Sequence, residues 1–343
     1  MNRHHDISKF IGRLMLLALP FFAIVGLYIW IDPFKVVRGY DSYYPSHFTG
    51  GVALNSGHVA TATFDNNREA MKYNAFLLGN SRCFYYRISE WEKYLPQGSV
   101  PYHFDAAGES LYGIERRLAY ASRHSESISD VLIILDYSVL ESTTASPGHI
   151  FATSPRLCGY RNAIHFHAAS LEVFLNPRFL RAVLDYRRNG VVKGYMRRDH
   201  ILSDLDFYYD PWHNELDYRL YETQMQQGTY FTPERLAVFE GAQFPDSVAP
   251  AVVGDGQMRL LHSMKREIDK HKARCKIVIS PCYNQIRLNP ADVKALRDIF
   301  GYENVADFSG VNSWTSDYRN YYETSHYRPH VATEIMRRIY TGQ

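Results

Sequence analysis

The 343-residue sequence is poor in net charge, in cysteine and in metal-ligand spacing, and each shortage removes a class of function. A formal charge of +2 leaves no electrostatic footprint for nucleic acid. The densest basic run, DYRRNGVVKGYMRRDH (185–200), is broken by Asp and Gly and reads as a solvated surface. Four cysteines, Cys83, Cys158, Cys275 and Cys282, form no C-x-x-C pair, so neither a zinc ribbon nor a thioredoxin-type motif is present. Their even number permits disulfides in an oxidising compartment without specifying a pairing. His165 and His167 lack a third ligand at metal spacing and would diverge on a helix, so no metal is expected. The GDGQM string around Gly254 and Gly256 lacks the rest of a dinucleotide fingerprint, so no cofactor is expected either.

What remains is a chain of 46% hydrophobic and 22% charged residues, enough to bury a large core. The 27 Tyr and 19 Phe suit either a thick core with hydroxyls at its edge or stacking platforms for sugars. YYDPWHNELDYRLY (208–221) is the densest such stretch and reads first as a buried aromatic cluster.

One long hydrophobic run stands out. LMLLALPFFAIVGLYIWI (14–31) carries no charge, and as a helix it would span about 27 Å, close to the thickness of a bilayer's hydrocarbon. Arg3, Lys9 and Arg13 precede it, which by the positive-inside rule puts residues 1–13 in the cytoplasm and the bulk of the chain outside. The run ends in YIWIDPF without a small-residue cleavage site, which favours an uncleaved single-pass anchor over a signal peptide. Residues 32–70 follow as a connecting segment rich in Gly and Tyr.

From residue 71 to 343 the pattern is that of an α/β domain. AFLLG (75–79), VLIIL (131–135), KIVIS (276–280) and NVADF (304–308) are short apolar runs of the kind that parallel strands show when covered on both faces. Between them Leu111, Ile114 and Leu118, then Met258, Leu261, Met264 and Ile268, recur at helical spacing. Pro290 and Gly301 bracket a further helix, and PHVATEIMRRIY closes the chain as another. Residues 141–250 interrupt the rhythm, apart from a helix near 170–186, and read as an insertion or cap.

Parallel α/β sheets place their sites at the carboxyl ends of strands. After the first strand comes GNSR, with Ser81 on a tight turn where its hydroxyl is exposed and its own N–H can face what it attacks. A serine hydroxyl needs a base, and a neutral imidazole held by a carboxylate serves. Glu323-x-x-His326, in YYETSHYRP near the end of the chain, offers that pair.

At these residues the sequence resembles the SGNH (GDSL-type) hydrolase superfamily, and more narrowly its membrane-anchored members linked to O-acylation of cell-envelope glycans. The resemblance spans roughly residues 71–140 and 258–340. It implies a three-layer, flavodoxin-like parallel sheet flanked by helices, with Ser81 as nucleophile in Gly79-Asn80-Ser81. It also implies Gly108 in HFDAAGES as a second oxyanion donor beside the Ser81 N–H, and Glu323-x-x-His326 in place of the family's D-x-x-H. Asp136 departs from the pattern, standing where the family has an Asn donor, and an ionised carboxylate cannot donate and would repel an oxyanion. Either two backbone donors suffice, or Asn80 supplies the third, or activity has been lost. Arg82, Asp136 and Tyr137 are candidate substrate contacts beside the nucleophile. The implied function is an extracytoplasmic, membrane-anchored serine esterase or O-acyltransferase, acetyl transfer included. Its substrate would be an acylated glycan or another acyl ester, with an integral membrane partner as acyl donor. The alternative is a catalytically inactive glycan-binding or scaffold protein of the envelope that keeps the fold.

Overall fold

The computed structural model describes residues 2–342; Met1 and Gln343, the outermost residues of the expected N-terminal and α/β segments, lie outside the described residues. Five strands form one parallel sheet: β1 (Ala75–Gly79), β2 (Pro101–His103), β3 (Asp130–Leu135), β4 (Arg274–Ile279) and β5 (Val305–Asp307). Their order is β5-β4-β3-β1-β2, all pairs parallel, so the sequence order reverses between β1 and β3.

Side chains alternate along each strand and supply a core on both faces. Phe76, Leu78, Val131, Ile133, Leu135, Ile277 and Ile279 meet four helices on one face: α2 (Ser56–Met71), α3 (Leu111–His124), α6 (Asp255–His271) and α7 (Pro290–Phe300). Ala75, Leu77, Leu132, Ile134 and Val278 meet the short helix Ile88–Trp91 and the closing helix α8 (Pro329–Thr341) on the other. A side chain such as Ile133 or Leu132, fully out of water on either face, contributes about 1.5–3 kcal/mol.

Four of the five strands lie where the apolar runs stand. The fifth, β2, opens on a proline at the sheet edge, the position in which a missing N–H is tolerated. The segment 32–70 is more than a connection. Its second half is α2, capped by Asn55, whose Oδ1 accepts from the His58 N–H at 2.8 Å, and packed into the core through Ala60 and Phe64.

The insertion holds two packed helices, α4 (Tyr160–Leu175) and α5 (Pro177–Asn189), and short antiparallel strands. Those strands pair with the segment before α2: Phe48 with Phe207, and Val52 with Leu202. Asn55 Nδ2 adds two hydrogen bonds of 2.9 Å to the carbonyls of His149 and Ala152. Residues 32–55 and the insertion therefore form one layer over the carboxyl end of β1. All four cysteines are free thiols.

At the start of the chain, α1 (Asn2–Ile31) is one helix containing Pro20. Its stretch Gly12–Ile31, 20 residues of mean hydropathy 2.4 and only 6% buried, is long and apolar enough to cross a membrane.

Candidate active site

Strand β1 delivers Ser81 to the point where the strand order reverses, the usual crevice for ligands in such sheets. Gly79 makes the turn possible. At φ +154° a Cβ there would lie 2.6 Å from the Ile134 carbonyl oxygen and the Cys83 sulfur, so no side chain fits between β1 and β3. Asn80 then caps the 3-10 turn Ser81–Tyr85, accepting from the Arg82 N–H at 3.1 Å.

The Glu323-x-x-His326 string forms a two-stranded hairpin, Tyr321–Glu323 against His326–Tyr327, in which Glu323 and His326 are directly opposed. This opposition sets the carboxylate on the ring. Glu323 Oε1 pairs with His326 Nδ1, and Glu323 Oε2 accepts from the Ser325 N–H at 2.8 Å. On the far side of the imidazole, His326 Nε2 lies 2.7 Å from Ser81 Oγ, although 245 residues separate them.

Neighbouring tyrosines fix the hairpin. The Tyr321 hydroxyl donates to the Pro281 carbonyl at 2.7 Å, and the Tyr327 hydroxyl bonds that of Tyr86 at 3.1 Å. From the insertion, Glu222 accepts two bonds from the Arg328 guanidinium, at 2.9 and 2.7 Å, and one from the Tyr322 hydroxyl at 2.6 Å.

Electrostatics set the proton positions. Burial pushes the Glu323 carboxyl upward, but His326, the Ser325 N–H and the Arg82 charge outweigh it and hold Glu323 below its ordinary value. The carboxylate is thus ionised at neutral pH and only accepts, so its bond to the ring places a proton on Nδ1. Nε2 is then the acceptor for the Ser81 O–H, the orientation that a general base requires.

Ser81, Gly108, Glu323 and His326 line one cavity of about 620 Å³. Its walls are largely apolar and come from the sheet domain (Phe84), the segment before α2 (Phe48, Leu54) and the insertion (Phe151, Phe207, Leu216). The insertion therefore caps the site. Gly108 sits at φ +59°, and a Cβ there would meet the Phe151 ring at 2.7 Å. The loop that carries Gly108 is tied down by the adjacent Glu109, which accepts from buried Arg117 Nε at 2.7 Å and from the Ser110 N–H at 3.0 Å. The N–H of Ala107 is taken by Ser56 Oγ at 2.8 Å.

The remaining expected site residues fall elsewhere. Asp136 is a buried clamp. Its Oδ2 accepts from Asn80 Nδ2 and Arg82 Nη1, each at 2.6 Å, and its Oδ1 caps the short helix Tyr137–Glu141 through the Ser138 N–H at 2.7 Å. Burial opposes the charge, yet Arg82, Ser138 and Asn80 hold the Asp136 carboxyl below its usual value. One N–H of the Asn80 amide is engaged with Asp136, while its oxygen accepts from the Arg82 N–H. Arg82, Asp136 and Tyr137 line a second cavity, about 300 Å³, at the ends of β3 and β4. None of the three lines the Ser81 cavity.

Two other histidine–acid pairs stand near the sheet. His103 Nδ1 bonds Asp105 at 2.9 Å and its Nε2 bonds the Tyr86 carbonyl at 2.9 Å, both deeply buried. Asp210-x-x-His213, a literal D-x-x-H string, pairs at 2.6 Å, and the His213 carbonyl accepts from the His103 N–H. Among the described residues, neither pair has a serine on a ring nitrogen, and both brace the edge of β2. Among the described residues, no three His, Cys, Asp or Glu side chains converge as a metal site. In comparison with known proteins, no family model matches the chain and no curated protein matches it closely enough to count as a relative.

Proposed function

We propose that this protein is a membrane-anchored serine esterase or O-acyltransferase of the SGNH type, acting outside the cytoplasm on acyl esters of glycans. The observation that carries this reading is the chain of contacts from Ser81 Oγ to His326 Nε2, at 2.7 Å, and from His326 Nδ1 to Glu323. The placement of Ser81 after β1, and of the Glu-His pair ahead of the last helix, supports membership of that superfamily. So does the strand order. The apolar cavity at Ser81 suits an acyl group, and its rim, with Arg197, Asp204 and Arg235, suits a hydroxyl-bearing acceptor.

In the first half-reaction Ser81 Oγ attacks the acyl carbonyl carbon as its proton passes to His326 Nε2. The carbonyl electron pair moves onto oxygen, which the Ser81 and Gly108 N–H groups receive. Collapse expels the alkoxide, which takes the proton back from His326 and leaves acyl-Ser81. In the second, His326 removes a proton from water or from a sugar hydroxyl, whose oxygen attacks the acyl carbon. Ser81 then leaves with that proton. Hydrolysis and transfer share every protein group in this scheme and differ only in the second nucleophile.

An inactive scaffold is motivated by Asp136 repelling an oxyanion. That motive weakens once Asp136 is seen turned to Arg82 and Asn80 in a separate cavity. The test is hydrolysis of p-nitrophenyl esters by the full chain in detergent. The reading expects Ser81→Ala and His326→Ala each to abolish turnover while leaving the fold intact by circular dichroism. Equal turnover in wild type and Ser81→Ala would reject it.

A further inference from the structure

We propose that the outer face of α4 and α5 docks on the anionic surface of the same bilayer that α1 enters; the inference rests on reading α1 as a membrane span. Three observations carry it. First, the two helices are fixed to the end of α1. The Tyr28 ring, three residues before that end, packs on Phe174 at 5.4 Å, Phe174 on Phe179 at 5.7 Å, and Phe34, just after α1, on Phe179 at 5.2 Å. Tyr28, Phe34, Phe166, Phe179 and Ala182 share one buried cluster, so α4 and α5 sit where α1 leaves the apolar phase.

Second, uncovered apolar side chains stand among exposed polar ones, including Glu172, on the outer side of both helices. Leu180 and Leu184, one turn apart on α5, are 61% and 56% exposed, and Ile164 and Leu175 on α4 are exposed with them. At the end of α1, Ile29 and Trp30 are exposed as well. Third, basic charge collects here. Residues 163–200 hold seven Lys or Arg against three Asp or Glu, while the rest of the chain is net acidic. Arg187 and Arg188 are exposed in the last turn of α5, and the nearby Asp185 is already paired with Lys193 at 2.8 Å. Exposed leucines alternating with arginines on a helix next to a span are the composition of an interfacial helix on anionic lipid.

The segment after α5 runs directly into Arg197, His200, Leu202 and Leu205 on the rim of the Ser81 cavity. Docking of α5 therefore holds that rim near the headgroups.

The full chain, with the half-buried Cys158 and Cys282 changed to Ser, is reconstituted in phosphatidylcholine–phosphatidylglycerol liposomes with one nitroxide at a time. Sites are F22C in α1, L184C in α5 and Y302C on the exposed turn before β5. Relaxation by oxygen, which concentrates in lipid, is compared with relaxation by a water-soluble nickel chelate. Labels at 22 and 184 are expected to respond mainly to oxygen and the label at 302 mainly to nickel. With R187Q/R188Q, or in pure phosphatidylcholine, the 184 label is expected to shift toward nickel. An oxygen-dominated 22 with a nickel-dominated 184 overturns the docking proposal and leaves the span intact. A nickel-dominated 22 overturns the span itself. A 184 label shielded from both reagents means that protein, a second copy or a partner, covers the face, and overturns it too. An unchanged 184 response in R187Q/R188Q overturns the anionic assignment.

Discussion

Replacing Asp136 by Asn restores the residue that the resemblance leads one to expect, and the structure predicts harm rather than gain. Asp136 and Arg82 side chains are only 5% and 13% exposed, and the carboxylate accepts from Arg82 and Asn80 at 2.6 Å each. Removing one partner of a buried pair costs about 3–5 kcal/mol, because the other charge is left unpaired. Asn keeps one acceptor oxygen, so the lower end, about 3 kcal/mol, is the expected loss. At roughly 2 °C per kcal/mol for a chain of this size, the melting temperature should fall by about 6 °C.

The pH dependence has a definite sign. Asp136 has a folded value below its ordinary one, so its contribution is present above the unfolded value, about 4, and fades as pH falls through the folded value. The gap between wild type and Asp136→Asn should be largest near neutrality and close below about pH 4. Calorimetric melting across pH, with p-nitrophenyl acetate turnover on the same samples, measures both effects. A variant that melts like wild type and turns over about a hundredfold faster, the gain of an added oxyanion donor, would refute the clamp assignment.

Other substitutions probe the hairpin and the strand-end turn. Glu323→Gln can present an N–H to Nδ1 and favour the wrong tautomer, so kcat should fall roughly 10²- to 10⁴-fold with little change in KM, read by steady-state kinetics. Glu222→Gln removes the charge that holds Arg328 and weakens the acceptor for Tyr322. It should lower kcat on the order of tenfold by loosening His326 and leave KM near wild type; a change confined to KM would mean that Glu222 acts on substrate binding instead. Gly79→Ala forces a Cβ to within 2.6 Å of the Ile134 carbonyl at φ +154° and should cost about 3 kcal/mol or more in denaturant unfolding. An unchanged midpoint would show that β1 and β3 separate freely.

Much of the sheet could be read in advance because strands covered on both faces have to be apolar throughout. VLIIL and AFLLG are buried at every position. Strand β2 escaped because three residues beginning with Pro101 give no run, and an edge strand needs none. Helix α2 escaped because SGHVATATFDNNREAM has few large apolar residues, although Val59, Ala60, Ala62 and Phe64 are all buried and Asn55 is a recognisable cap. The pairing of His47–Phe48 with Phe207–Asp210 joins segments about 160 residues apart and leaves no local signal.

At the site, Ser81, Glu323 and His326 were legible because strand-end serines and carboxylate–histidine spacing express local requirements. The role of Asp136 was not, since its partners Asn80 and Arg82 lie on another strand's loop. Nor could spacing separate Glu323-x-x-His326 from Asp210-x-x-His213. Only the fold brings a serine to one and not to the other.

The most direct test of the central claim, that Ser81 is activated by His326, is covalent labelling by a fluorophosphonate followed by intact-mass and peptide mass spectrometry. The account predicts a single adduct, mapped to Ser81, that is absent in Ser81→Ala and suppressed in His326→Ala. A folded protein that never takes up the probe, or an adduct at Ser81 that forms just as fast without the imidazole, would contradict it.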